Sequence, residues 1–373
     1  MTKPQPPDIG APDPVPPANR LGLDYVAEAA GLPASPTGII DVHAHINGAA
    51  AAKIYGRAAD LYGVRLAYSM TQLEDLESVR DVLGDRVRFI AVPDYAGEDR
   101  RYHHGRGFLE RIGKFHALGV RIAKFWAAPR GVDYGREVGD PGLLRLDAPW
   151  RLEAMEAARD LGMVFMTHVG DPDTWFATKY ADASVYGTKT QQYEPLEALL
   201  DRFTQPWIGA HMGGWPEDLE FLTGLMGRHD NLYLDTSAVK WMVRELSRHD
   251  RADLLSFLER FRGRVLFGSD IYTSDEHLTA GTKEREILEL AGSPEEAFDL
   301  YASRYWAMRT LFETDHVGPS PIADPDLAML DPDNYSDLDA PQLVGKALPR
   351  DVLAGIYHDA AHTLLEPLHG VRA

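Results

Sequence analysis

The chain contains no cysteine. Disulfides, thiolate metal sites and cysteine nucleophiles are therefore excluded. Any metal must rest on His, Asp, Glu, a modified Lys or water. Basic residues are scarce: 38 Lys and Arg stand against 57 Asp and Glu, a formal net charge of −19 over 373 residues. That balance argues against nucleic acid and anionic membrane as partners and leaves a small molecule as the expected one. No apolar run approaches a membrane span, and the N-terminal stretch MTKPQPPDIGAPDPVPPANR lacks the apolar core of a signal peptide. A cytoplasmic location is the default expectation. The proline density reads as an extended arm over residues 1–37, either a disordered tail or a clasp on a neighbouring subunit.

What is present is alternation. Eight short apolar or β-branched runs recur: GIIDVH (38–43), VRLAYSM (64–70), RVRFIAVPD (86–94), GVRIAKFW (119–126), GMVFMTH (162–168), PWIGAH (206–211), NLYLDTS (231–237) and RVLFGSD (264–270). Helical patterns fall between them, such as LEAMEAARDL and PEDLEFLTGLMGR. Near-continuous apolar strands alternating with helices predict a parallel sheet covered by helices. Eight units predict a (β/α)8 TIM barrel spanning residues 38–373. A doubly wound open sheet is the alternative, but no glycine fingerprint follows the first strand. Residues 169–205 read as a lid-like insertion, and residues 314–373 as an acidic, proline-rich wrap ending in a helical extension.

The strand ends carry the chemistry. His43 and His45 end the first run, Lys124 lies in the fourth, and His168, His211 and Asp270 end the fifth, sixth and eighth. In a barrel all strand C-termini meet on one face, so these side chains converge. Imidazoles and a carboxylate suit zinc, iron, manganese or nickel.

The order HxH, Lys, His, His, Asp on strands one, four, five, six and eight resembles the amidohydrolase superfamily. The wording IIDVHAHI, GVRIAKFWAAP, GAHMGGWPEDLEFL, NLYLDTS and VLFGSD is most similar to its amidohydrolase-related branch. That branch includes 2-amino-3-carboxymuconate-6-semialdehyde decarboxylase, γ-resorcylate decarboxylase and small-lactone hydrolases. The resemblance implies that His43, His45, His168 and Asp270 hold a catalytic metal. It implies that His211 binds a second metal or polarises the substrate, and that Asp270 doubles as the base toward water. Lys124 is either a carboxylated bridge between two metals or an unmodified lysine pairing with an acid. Zinc is expected, one or two per chain, with manganese or iron as alternatives.

Other residues read less sharply. Arg130 is a clamp for a substrate carboxylate or a loop arginine. Trp175, Phe176, Tyr193 and Trp215 line an aromatic pocket or simply pack. Asp171 before Pro172 reads as a turn start, Glu194 as solvated, and His103 and His104 as surface residues. HMGG after His211 supplies a permissive backbone where a ligand approaches. The expected activity is metal-dependent hydrolysis of a small-molecule C–N or C–O bond. Non-oxidative decarboxylation of a small aromatic or unsaturated acid comes next, then a dinuclear iron or manganese oxygenase. A non-catalytic metal-binding subunit is the reading outside enzymes. A homo-oligomer is expected, with room for a paralogous partner.

Overall fold

The computed structural model describes residues 17–279 and 291–370. All eight apolar runs form parallel strands: β1 Ile39–Ile46, β2 Val64–Ser69, β3 Val87–Ala91, β4 Ile122–Trp126, β5 Val164–His168, β6 Trp207–Gly209, β7 Leu232–Asp235 and β8 Val265–Leu266. A short continuation, β9 Ile271–Thr273, follows β8. Neighbours along the sheet run β8-β7-β6-β5-β4-β3-β2-β1-β9. β8 pairs with β7, while β9 pairs with β1 through Ala44–Ile271, His45–Tyr272 and Ile46–Thr273. β8 and β9 are two halves of one broken strand, and together they close a (β/α)8 barrel.

The break is backbone chemistry. Asp270 takes a left-handed conformation at φ 58°. Its N–H donates to His43 carbonyl oxygen at 2.7 Å, and Val42 N–H donates to Phe267 carbonyl oxygen at 2.9 Å. The chain thus crosses from one strand neighbour to the other without orphaning its amides. Strand interiors are apolar on both faces because side chains fill the barrel inside and helices cover it outside. In β1 every residue except His45 is buried.

Of the expected 1–37 arm, residues 1–16 lie outside the described residues. Its second half is not extended. Asp24 caps a helix, Tyr25–Gly31, by accepting from Val26 and Ala27 N–H. That helix docks on the long helix Pro294–Glu313: Trp306 indole donates to Glu28 at 3.0 Å, and Asn19 amide donates to Asp299 at 3.0 Å. The 169–205 insertion folds as two short helices, Asp173–Ala177 and Ala183–Tyr186, before the barrel helix Tyr193–Arg202. The C-terminal wrap carries an antiparallel pair, Val317–Pro319 with Gln342–Val344. Buried Arg244 anchors that wrap, meeting Asp324 at 2.5 Å and Asp326 at 3.2 Å. Among the described residues no helix is long and apolar enough to cross a membrane.

Candidate metal centre

One end of the barrel gathers the expected cluster. His43 and His45 are two apart in β1, so they share a face. Both reach one oxygen: His43 Nε2 stands 3.3 Å, and His45 Nε2 3.1 Å, from Asp270 Oδ1. His168 and His211 face them across the mouth, with His168 Nδ1 3.1 Å from His211 Nε2. The His43 and His211 rings are 5.0 Å apart, centroid to centroid.

The far nitrogens are held from behind. His43 Nδ1 stands 2.8 Å from Asp235 Oδ2. His211 Nδ1 stands 2.7 Å from Ser237 Oγ, whose hydroxyl donates to Asp235. His168 Nε2 stands 2.9 Å from Asp171 Oδ1, and the other Asp171 oxygen accepts from the Tyr180 hydroxyl at 2.7 Å. Asp41, fully buried, braces the strand break by accepting from Ser269 N–H (3.0 Å), Ser269 hydroxyl (2.6 Å), His43 N–H (3.1 Å) and Tyr305 hydroxyl (2.8 Å).

Protonation follows from burial and partners. Burial drives the His211 imidazole well below its usual value, and neighbouring His168 adds to the fall. Burial also lowers His45, against the pull of Asp270. For His43, burial and Lys124 lower the pKa, but Asp235 and Asp270 outweigh them and raise it. Burial pushes the Asp270 carboxyl up, yet hydrogen bonds from His43 and His45 hold it well below the usual range. Asp235 is held down in the same way, chiefly by His43 against burial. Asp41 is pushed up to about 6 by burial, despite its four donors.

A neutral imidazole has one N–H. Nδ1 of His211 pairs with Ser237 and Nε2 of His168 with Asp171. The other nitrogen of each ring is left for the pair that meets at 3.1 Å. His43, with Nδ1 on Asp235, turns its Nε2 toward Asp270. Imidazole nitrogens and a carboxylate oxygen gathered in this way are metal-ligand atoms. Ligand atoms about 2.0–2.2 Å from one cation stand roughly 3–3.5 Å apart, which matches these separations. Two trios come within 4.8 Å of mutual reach: His43, His45 and Asp270, and His43, His211 and Asp235. Ser237 Oγ already sits within hydrogen-bond reach of every member of the second trio.

The backbone is strained at the same place. His211 (φ 58°) and Met212 (φ 51°) are left-handed, followed by Gly213 and Gly214 at φ 65° and 85°. Non-glycine residues pay about 1–2 kcal/mol each for this conformation. The turn is over-determined: His211 N–H donates to Asp235 at 3.0 Å, and Tyr193 hydroxyl donates to Gly213 carbonyl oxygen at 2.9 Å. A Cβ on Gly214 would stand 2.7 Å from the Gly170 amide nitrogen, so glycine is needed where this turn meets the loop after His168.

Lys124 is buried, and burial pushes its amine down to about 8. Among the described residues no carboxylate comes within 4.0 Å of it. Tyr193, expected in the substrate pocket, is instead a buried pillar under the His211 turn, its hydroxyl committed to Gly213. Trp215 stacks on Tyr193 at 5.7 Å and carries the Lys189 ammonium at 4.8 Å, so it too packs. Trp175 is half-buried, its indole donating to Asp326 at 2.8 Å. Arg130 is exposed, its guanidinium 5.0 Å from the centre of the Tyr134 ring. His104, expected at the surface, is buried against Tyr95. Asp171, read as a turn start, is the buried support of His168. Asp235 and Ser237 escaped the sequence reading altogether, although an acid ending an apolar strand was the signal used for Asp270.

A cavity of about 550 Å³ lies beside the cluster. Loops after β4 and β5 line it, including Ala127, Val169 and Tyr186, and none of the four histidines or Asp270 does.

The sequence matches the amidohydrolase family model over residues 40–366. Among curated proteins none matches significantly. Solved structures similar to this one include dihydroorotase from Saccharomyces cerevisiae in complex with 5-fluoroorotic acid, at 12% identity and TM-score 0.49, covering 91% of this chain and 85% of that one. A zinc-bound amidohydrolase from Burkholderia multivorans is 12% identical, with TM-score 0.45 and coverage of 90% and 99%. 2,6-Dihydroxybenzoate decarboxylase from Rhizobium is 13% identical, with TM-score 0.33 and coverage of 70% and 98%. With nearly its whole barrel matched by the family model, the chain belongs to the amidohydrolase family.

Proposed function

We propose that the protein is a metal-dependent hydrolase acting on a C–N or C–O bond of a small molecule, with one divalent cation per chain, zinc foremost. The supporting observation is the set of ligand atoms turned toward one another: His43 Nε2 toward Asp270, and His168 Nδ1 toward His211 Nε2. His43, His45, His168 and Asp270 hold the cation, and His211 faces the substrate carbonyl. A divalent cation there lowers the pKa of water from ~15.7 to about 7 and polarises a carbonyl. Asp270, its carboxyl ionised at neutral pH, accepts the proton of the attacking water and returns it to the leaving group. His211 stays neutral, so its Nε2 can receive or relay a proton.

One cation rather than two follows from Ser237. Its hydroxyl occupies the middle of the second donor trio, and an unmodified Lys124 offers no bridging anion. Metal analysis of protein purified without added metal or chelator tests this count. One zinc, indifferent to added bicarbonate, is expected. A second equivalent appearing with bicarbonate would make Lys124 a carbamate bridge. No metal, with added metal refused, would sink the reading.

Lys124 also favours a second reading, non-oxidative decarboxylation. A buried amine with no acid partner beside the cluster suits a substrate carboxylate. A panel of lactones, esters, amides and aromatic acids separates the two. Carbon dioxide release without a hydrolytic product selects decarboxylation.

A further inference from the structure

At the rim of the centre two exposed cations have no acid to pair with. Arg130 lies in the loop after β4 and Lys179 in the insertion after β5. Among the described residues no carboxylate comes within 4.0 Å of either, in a chain where acids outnumber bases 57 to 38. Each is seated on an aromatic ring instead. Lys179 Nζ is 3.5 Å from the centre of the Trp175 ring, and Arg130 is 5.0 Å from that of Tyr134. Trp175 is itself fixed by its indole bond to buried Asp326, so the platform under Lys179 is rigid.

A third cation backs them. Lys240 Nζ stands 3.8 Å from the same Asp326 oxygen and 3.9 Å from Asp324. Both acids are already engaged by Arg244. The Lys179 amine is lowered first by burial and, against Asp326, by repulsion from Lys240 and Arg130. The three charges therefore feel one another.

The group is close to the metal centre. Tyr180 follows Lys179, the Arg130 backbone lies against the Tyr180 hydroxyl, and that hydroxyl reaches Asp171 at 2.7 Å. The other Asp171 oxygen holds His168. Through Tyr180 and Asp171, the segments that carry the two cations reach a centre histidine.

Resting on the metal-centre reading above, we propose that Lys179 and Arg130, backed by Lys240, form an anion subsite that receives the second carboxylate of a small dicarboxylate substrate. The first, reacting end lies at His43, His45 and Asp270. Lys179 and Arg130 are held by rings rather than by acids, so an incoming carboxylate displaces no internal partner of theirs. Bidentate guanidinium geometry favours a planar carboxylate.

Titration calorimetry on the zinc-loaded full chain tests this. The probes are straight-chain dicarboxylates from succinate to pimelate, the monocarboxylates of equal length, and inorganic phosphate. At least one dicarboxylate is expected to bind ten-fold or more tighter than its monocarboxylate. Lys179→Gln and Arg130→Gln should each remove most of that advantage, leaving zinc content and monocarboxylate affinity unchanged. Lys179→Glu should reverse it. Dicarboxylates binding no tighter than monocarboxylates, or an advantage that survives the substitutions, would overturn the subsite. Phosphate matching the best dicarboxylate, with loss in the same variants, would overturn the carboxylate assignment. Zinc content, measured first, keeps the two readings apart: a chain that refuses zinc defeats the metal centre, whereas a zinc-loaded chain without discrimination defeats the subsite alone.

Discussion

His168 Nδ1 and His211 Nε2 stand 3.1 Å apart, while the opposite nitrogen of each ring is held from behind, His168 by Asp171 and His211 by Ser237. A cation bound at this pair binds the folded chain and not the unfolded one, so metal should stabilise the fold. With free zinc about 1,000-fold above its dissociation constant, the gain is about 4 kcal/mol. Thermal melts of chelator-treated protein should rise on adding zinc and stay put with magnesium, which prefers oxygen ligands. Melts that ignore zinc would contradict a metal held at this pair.

Asp171 should matter for metal without touching it. Its carboxylate fixes the His168 tautomer from behind, and removing such a support typically costs 10–100-fold in metal affinity. Asp171→Ala should lose about that much while keeping its circular dichroism spectrum. Competition against a chromophoric chelator measures it. Unchanged affinity would reduce Asp171 to a structural bond for Tyr180.

The barrel was legible because its signals are local. A strand buried on both faces must be a short apolar run, and Val164–His168 or Leu232–Asp235 can be little else. The centre was legible in part, because chemistry on this fold gathers at strand ends, where His43, His168 and Asp270 stand. What stayed hidden is what only three dimensions decide. Asp171 looks like any Asp before Pro, and nothing in the sequence says that its side chain turns back on His168. Ser237 becomes a hub only when β6 and β7 bring His211 and Asp235 beside it. Tyr193 looked like pocket lining because aromatic residues in an insertion resemble binding residues until their hydroxyls are traced. His104 looked exposed among arginines, yet its ring is covered by Tyr95.

That burial gives His104 a pH signature. Burial, helped by Arg151 and Arg100, pushes its imidazole down to about 3. The folded state keeps it neutral while the unfolded chain takes up a proton near the usual 6.5. Between about 6.5 and 3 the unfolded state binds the extra proton, so stability falls as pH falls, by about 1.4 kcal/mol per pH unit. His104→Leu should remove that share of the acid slope. Denaturant melts at pH 7 and pH 5 should show the variant losing about 2 kcal/mol less than the parent. Equal losses would mean that His104 is charged in the fold.

Gly268 tests whether the centre tolerates displacement. A Cβ there would stand 3.0 Å from His43 Cβ, 3.1 Å from Ser237 Cβ and 3.4 Å from Asp235 Cγ. Its backbone needs no left-handed conformation, so Gly268→Ala acts by crowding alone. His43 cannot yield freely, since its ring is fixed between Asp235 and Asp270. Overpacking of this kind costs about 1–3 kcal/mol. Because the crowded groups are the ones that orient the ligand nitrogen, zinc affinity should fall along with stability. Gly113→Ala is the control: it sits in the helix Arg106–Ala117 with nothing within 4 Å of its added Cβ, and should stabilise by roughly 0.5–1 kcal/mol with zinc affinity unchanged. Melting temperature and chelator competition on both variants give the answer. A Gly268→Ala protein that is less stable but binds zinc as tightly as the parent would mean that the strain is absorbed by Ser237, and that His43 is held more loosely than its 2.8 Å bond to Asp235 implies.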